Sequence, residues 1–330
     1  MATSTTIDFS LYLEGTDQGK RQVAKAFVSN LKRDGFAKLQ NHGVPPEVVS
    51  QIWDWGRLFF NLPEDKKKEV LHVPGPSLQR GWSMVGSEIT SNLQSQEKGA
   101  SKDEDKLDQK EHFDCGPHDD KEYPNRWPDL PGFRKFMEQY YGICQQKALE
   151  ILAMVELGLE VEPDLLTNLC RPATSELRIV HYAPIKPAAS VPPTYKRAWP
   201  HSDLGVLTLL FQGGGVDGLE FEDRSHLGSY KSVTFEHSDD LLVNVSDTLA
   251  RWTNDVLPAG VHQVSLPTAT NESEIPERFS SAFFLKARRS VLVSALPAFV
   301  SPDNPAKYQA ITALEYQTAM TKKLGESKKT

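Results

Sequence analysis

HSDLGVLTLLFQGGG, residues 201–215, sets two ionisable groups at the head of an apolar run and three glycines behind it. The run VLTLLF reads as a buried strand, and an unpaired charge where such a strand begins is expensive. A bound cation would compensate it. Residues i and i+2 of a strand point to one side, so His201 and Asp203 face together. A histidine beside an aspartate is by itself more often a surface or capped pair than a ligand set. A third donor is therefore needed, and among the nine histidines His262, in AGVHQV on another strand-like segment, is the best placed. Two imidazoles and one carboxylate on one face leave about three positions open on an octahedral Fe(II). Zinc arranged for hydrolysis accepts the same donors and stays open as an alternative, although no HExxH helix accompanies it.

From Pro172 onward, short runs of alternating or continuous apolar character are divided by Gly, Pro and Asp. They are LRIVHY (177–182), VLTLLFQ (206–212), GLEFED (218–223), LLVNV (241–245), GVHQV (260–264) and RFSSAFFLKA (278–287). Many short strands at this spacing predict a double-sheet antiparallel barrel. GGG at 213–215 followed by VDG predicts a turn with positive φ. Before the barrel, Val23, Ala24, Phe27, Val28 and Leu31 recur at helical spacing and stop at Gly35. GFAKLQNHGV (35–44) then reads as a short strand, and Pro45 and Pro46 open a second helix through Val48, Val49, Ile52 and Phe59. A long helix is expected over 132–159 and another from Pro305 onward. Residues 87–110 are polar and poor in aromatics, which predicts a mobile loop and a candidate lid. The expected fold class is mainly β with flanking helices, a jelly-roll core behind a mixed α/β annex. The division is 1–171 for the annex and long helix, 172–300 for the barrel, and 301–330 for the C-terminal helix.

Arg278 and Ser280 share a strand face, with Phe279, Ser281 and Phe283 on the other. A guanidinium fork and a hydroxyl together suit a carboxylate, while a salt bridge at the barrel rim would use the same pair. Tyr182 shares its face with Arg178 and Val180 and reads as a core tyrosine with a hydrogen-bonded hydroxyl. Arg178, Arg197 and Phe284 are candidate substrate contacts; Lys196 joins them, although it and Arg197 also read as solvent-exposed cations. Leu207, Leu209, Phe211 and Phe284 are candidate apolar walls. The net charge of −7 argues against nucleic acid as a partner, since that affinity comes mostly from Lys and Arg on phosphates. No apolar run approaches the roughly 18 residues of a membrane span, and the N-terminus lacks a signal-peptide pattern. A cytoplasmic monomer acting on a small molecule is expected. Cys115, Cys144 and Cys170 are too few and too irregular for a disulfide framework and read as reduced core residues.

Several stretches together resemble the isopenicillin N synthase-like family of Fe(II)- and 2-oxoglutarate-dependent dioxygenases over nearly the whole chain. They are GFAKLQNHGVPPEVV, LFFNLPEDKKKEV (58–70), QRGWSMVGSE (79–88), DQKEHFDCG (108–116), HSDLGVLTLL, 241–264 and ERFSSAFF. The resemblance implies a distorted jelly roll with iron on His201, Asp203 and His262. It implies 2-oxoglutarate anchored by Arg278 and Ser280 with a hydrogen bond from Tyr182, and O2 as the second cosubstrate. It further implies oxidation of an unactivated C–H bond of a small secondary metabolite by hydroxylation, desaturation or rearrangement, with release of succinate and CO2. Two other readings are an oxidase that dispenses with 2-oxoglutarate and a barrel that binds a small acid without catalysis. The chain departs from the family at Val180, His181, Ser246, Asp255 and Gln263, and 265–277 reads as a surface insertion.

Overall fold

A computed structural model describes residues 6–73, 77–94, 107–185, 195–213, 217–267 and 274–325. In chain order the N-terminal elements are β1 (Ile7–Asp8), α1 (Ser10–Leu13), α2 (Asp17–Asp34), β2 (Phe36–Gln40), α3 (Pro46–Phe60), α4 (Glu64–Lys68), β3 (Gly81–Ser83), α5 (Ser91–Gln94), β4 (Glu111–Cys115) and α6 (Phe133–Leu159). The barrel follows as β5 (Glu176–Tyr182), β6 (Ala198–His201), β7 (Leu207–Gly213), β8 (Leu219–Glu222), β9 (Tyr230–Ser232), β10 (Leu241–Val245), α7 (Asp247–Trp252), β11 (His262–Val264) and β12 (Arg278–Leu285), then α8 (Ala313–Gly325).

Two sheets face each other. The larger runs β1-β2-β10-β7-β12-β5-β4-β3 and the smaller β6-β11-β8-β9, with every pairing antiparallel except β1 on β2. This is the distorted jelly roll expected. Strands β1 to β4 extend the large sheet on both sides, so the N-terminal region builds the barrel wall. The outer face of that sheet packs on α2, α3 and α6 around Phe27, Leu31, Ile52, Phe59, Tyr140, Ile151 and Val155. The inner face, with Phe36, Val180, Tyr182 and Leu242, meets Ala198, Leu219, Phe221 and Val264 of the small sheet.

The helix ends follow from local chemistry. Thr16 caps α2 by accepting from Gly19 N at 3.2 Å, and Gly35 ends it at φ 76°, a conformation that costs glycine little. A Cβ there would also meet the Cα of Gly260 at 2.8 Å. The C-terminal helix begins at Ala313, later than the expected Pro305. The Thr312 hydroxyl accepts from Glu315 N at 3.2 Å while the Glu315 carboxylate accepts from Thr312 N at 3.0 Å, a capping box that fixes the start.

Two loop readings change. In 87–110 both ends are built in: Glu88, Thr90, Asp108 and Lys110 are buried, and Ile89 N donates to Leu324 O on α8. Lys110 and the remote Arg178 compensate the two carboxylates, which low aromatic content does not reveal; 95–106 lie outside the described residues. In 265–277, Ile275 is buried and pairs with Ile185, so that end is anchored, while 268–273 are outside the description. The turn expected at 213–215 also falls largely outside it. The three cysteines are free and buried. No helix among the described residues is long and apolar enough to cross a membrane.

Candidate active site

Strands β6 and β11 pair so that His201 and His262 are direct cross-strand neighbours, with ring centroids 4.4 Å apart. Asp203 follows two residues after His201, and its Oδ1 lies 4.0 Å from the Nε2 of each histidine. One donor atom from each of the three falls within 4.8 Å of the others, and this is the metal-competent cluster found among the described residues. The remaining atoms of the ligands are already committed. His201 Nδ1 lies 2.7 Å from Trp199 O and His262 Nδ1 lies 3.1 Å from Gly260 O. A carbonyl only accepts, so both Nδ1 atoms carry the proton and both Nε2 lone pairs face the cluster. Asp203 Oδ2 accepts from Thr208 Oγ1 at 2.6 Å and Asn244 Nδ2 at 2.9 Å, leaving Oδ1 toward the histidines. Burial, followed by His262, holds His201 well below its ordinary range. Burial raises the Asp203 carboxyl, but His262, His201, Thr208 and Asn244 outweigh it and keep it ionised. Two imidazoles and a carboxylate are a donor set that fits a divalent iron.

The cavity beside this cluster lies between the sheets. It is lined by Phe36, Lys110, Arg178, Val180, Tyr182, Leu210, Asn244, Arg278, Ser280, Ala282 and Phe284, among others. Along β12, Arg278, Ser280, Ala282 and Phe284 project inward in turn. Phe284 pairs with Thr208 near the metal cluster, and Arg278 pairs with Tyr182 at the far end. Arg278 is 1% exposed. It donates to Gln212 Oε1 at 2.7 Å and Ser280 Oγ at 3.4 Å, lies 5.0 Å over the Tyr182 ring, and leaves Nε without a partner. Among the described residues no carboxylate stands within ion-pair distance of it, so the rim salt bridge is absent there. A buried guanidinium with no carboxylate at ion-pair distance among the described residues calls for an anionic ligand.

Several expected contacts move. Leu207, Leu209 and Phe211 belong to the outer core under the helices; Thr208, Leu210 and Gln212 have the inward parity. Both faces of β7 are covered, so the alternation that would have separated them is hidden. Arg178 lines the cavity, but its fork is engaged by Asp114 (2.8 and 3.2 Å), Glu88 (3.1 Å to each oxygen) and Gln79, which leaves little for a substrate. Arg197, read as solvent-exposed, is 1% exposed and is not among the cavity-lining residues. Lys196 is half-buried and donates to Ser265 Oγ at 3.3 Å. Phe284 does line the cavity, with Arg178 at 5.7 Å over its ring.

Sequence reading missed Lys110, Gln212, Thr208 and Asn244. Alternation from the inward-facing Asp203-bound Thr208 would have found Gln212, whereas Lys110 and its partners Asp108 (2.8 Å) and Glu88 (3.1 Å) carry no local signal. Of the departures, Val180 stays on the cavity wall. His181 points outward, stacked on Phe279 at 4.7 Å and bonded to Glu111 at 2.9 Å. Asp255 occupies φ 66°, a region glycine prefers, with its carboxylate held by Tyr308 at 2.5 Å and Lys307 at 3.0 Å. Gln263 is bonded to Glu220 at 2.7 Å.

Comparison with known proteins agrees with this geometry. Residues 5–130 match the family model for the N-terminal region of the non-haem dioxygenase in morphine synthesis, and 174–287 match that of the 2OG-Fe(II) oxygenase superfamily. The chain is 40% identical to the 2-oxoglutarate-dependent dioxygenase imqE of Aspergillus flavus, covering 96% of this chain and 93% of the relative. It is 38% identical to the proline hydroxylase buaE of Petromyces alliaceus, covering 94% and 96%. Among solved structures, a full-length Neurospora crassa protein in complex with alpha-KG and thymine superimposes with a TM-score of 0.84 at 29% identity, over 96% of this chain and 95% of that one. These similarities favour a cosubstrate-using oxygenase over both an oxidase without 2-oxoglutarate and a non-catalytic barrel. With the fold, the His-Asp-His cluster and relatives matched over nearly their full length, the chain belongs to the 2OG-Fe(II) oxygenase superfamily and is a 2-oxoglutarate-dependent dioxygenase using Fe(II).

Proposed function

We propose that His201, Asp203 and His262 hold the iron, and that Arg278 and Ser280, with Tyr182 beside them, hold the distal carboxylate of 2-oxoglutarate. On this reading a small secondary metabolite is oxidised at an unactivated C–H bond. The observation that carries the reading is the grouping of one donor atom each from His201, Asp203 and His262 within 4.8 Å of one another, each side chain fixed by a hydrogen bond at its other donor or acceptor atom. Bound there, ferrous iron with 2-oxoglutarate supplies O2 activation, giving oxidised product, succinate and CO2.

The protein's own groups position the reactants. Trp199 and Gly260 carbonyls hold the imidazole tautomers, and Thr208 and Asn244 fix the carboxylate rotamer. Arg278 sets the direction in which the organic acid lies along β12. Phe284, Leu210 and Val180 exclude water from the space next to the metal, and Phe284 offers an apolar face to the substrate. Lys110 also borders this space, with its charge met by Asp108 at 2.8 Å and Glu88 at 3.1 Å. A small-molecule substrate rather than nucleic acid fits the net charge of −7.

Oxygen uptake measured with and without 2-oxoglutarate, during a metabolite screen that quantifies succinate, tests the function. Uptake and succinate should rise together and only with 2-oxoglutarate. Substrate oxidation without succinate would instead identify an oxidase.

A further inference from the structure

Four arginines are buried among the described residues: Arg80, Arg178, Arg197 and Arg278. Two are neutralised inside the protein. Arg80 pairs with Glu176 at 3.0 Å and Asp120 at 3.3 Å, and Arg178 pairs with Asp114 and Glu88. Arg197 and Arg278 have no carboxylate within ion-pair distance among the described residues, and both lie over one ring, Tyr182, at 5.6 and 5.0 Å. Arg197 uses Nη2 to hold two carbonyls, Pro276 O at 2.8 Å and Ala183 O at 3.3 Å. Ala183 directly follows Tyr182 at the end of β5, and Pro276 lies two residues before Arg278 at the start of β12. Its Nε and Nη1 are buried without a hydrogen-bond partner. Burying a cation in this way is costly unless an anion arrives to share its field.

Resting on the 2-oxoglutarate reading above, we infer that Arg197 is a second cationic anchor of the organic-acid pocket. It acts from behind Tyr182 as a positioning residue, and the charge it contributes is compensated by the distal carboxylate of the cosubstrate. Arg278 makes the direct contact. Arg197 adds long-range attraction and ties together the backbone that presents Arg278 and Tyr182. The electrostatic strain agrees: burial first, then Arg278, push the Arg197 guanidinium down to about 10.

The test is calorimetric binding of 2-oxoglutarate and of 2-oxopentanoate, which has the same chain length without the distal carboxylate, to the full chain loaded with Mn(II). Wild type should prefer 2-oxoglutarate strongly. Arg197→Gln should weaken 2-oxoglutarate about tenfold or more and leave 2-oxopentanoate unchanged, and Arg197→Lys should restore most of the loss. Arg197→Gln should also reduce the rise in melting temperature that 2-oxoglutarate produces. Equal weakening of both acids, or of neither, would show a purely structural arginine and overturn the inference. Arg278→Gln gives a second route that does not need Arg197 variants to fold. A residual preference for 2-oxoglutarate supports a second cation, and its complete loss contradicts one. If Arg278→Gln leaves 2-oxoglutarate affinity intact, the assignment of Arg278 to the distal carboxylate fails, and the inference that rests on it falls too.

Discussion

Asn244→Leu should weaken metal binding without touching a ligand. Asn244 is 3% exposed on β10, and its amide donates to Asp203 Oδ2 at 2.9 Å, sharing that oxygen with Thr208 Oγ1 at 2.6 Å. Together they hold Oδ1 toward both histidines. A hydrogen bond to a charged group contributes about 1.5–3 kcal/mol, which as lost pre-organisation corresponds to roughly 10- to 100-fold in metal affinity. Leucine is close in size to asparagine, so the strand and its neighbours Leu242 and Val243 keep their packing. The assay is anaerobic Fe(II) titration in competition with a chelator, alongside circular dichroism of the apoprotein. Thr208→Val should give a similar loss. The double variant should lose more than either but less than the sum, because both donors serve one oxygen. Unchanged iron affinity in a folded Asn244→Leu would refute the claim that this amide orients the carboxylate.

Three further outcomes follow from other parts of the structure. Arg178→Met leaves Asp114 and Glu88 buried without their main cation and should cost about 3–5 kcal/mol at pH 7, read by urea denaturation. Burial raises both carboxyls, yet Arg178 and its neighbours hold them well below the usual range. Their contribution is thus fully present above the ordinary carboxylate pKa and lost as pH falls toward the folded values, so the gap between wild type and variant should narrow below about pH 4. Phe284→Ala removes an apolar wall next to the metal cluster and should raise substrate KM roughly tenfold, by the about 1.5 kcal/mol or more that burying such a side chain contributes. The KM for 2-oxoglutarate should change far less in steady-state kinetics. Tyr316 on α8 donates to Asp247 Oδ2 at 3.0 Å, and Asp247 Oδ1 accepts from Ser202, between two of the ligands, at 2.7 Å. Tyr316→Phe should cost about 1 kcal/mol in thermal unfolding, and an unchanged melting temperature would show that α8 does not brace that loop.

Much of the site was legible because its parts sit on strands, where parity is strict. His201 with Asp203, and Arg278 with Ser280, follow from a spacing of two, and β12 keeps that alternation through Phe284. Parity misled for β7, since helices cover one face and the cavity the other, leaving Leu207 and Leu210 equally apolar in sequence. The burial of Arg197 and the ends of 87–110 was hidden for another reason. Polar residues are read as exposed unless their partners are visible, and the partners here are remote: Glu88 meets Arg178, and Arg197 meets the carbonyls of Ala183 and Pro276. The start of α8 did carry a local signal, the Thr312-x-x-Glu315 box, which composition alone does not expose. The joining of the annex strands to the barrel sheet depends on long-range pairing, such as β2 on β10, which no local pattern encodes.

Iron stoichiometry tests the central claim most directly. Anaerobic titration of the purified full chain with Fe(II), followed by measurement of 2-oxoglutarate-dependent succinate release on admitting O2, should give one iron per chain in the wild type. His201→Ala, Asp203→Ala and His262→Ala should each lose tight iron binding and succinate release while retaining the wild-type circular dichroism spectrum. Stoichiometric iron and undiminished succinate release in any of the three would contradict the assignment of that residue to the metal.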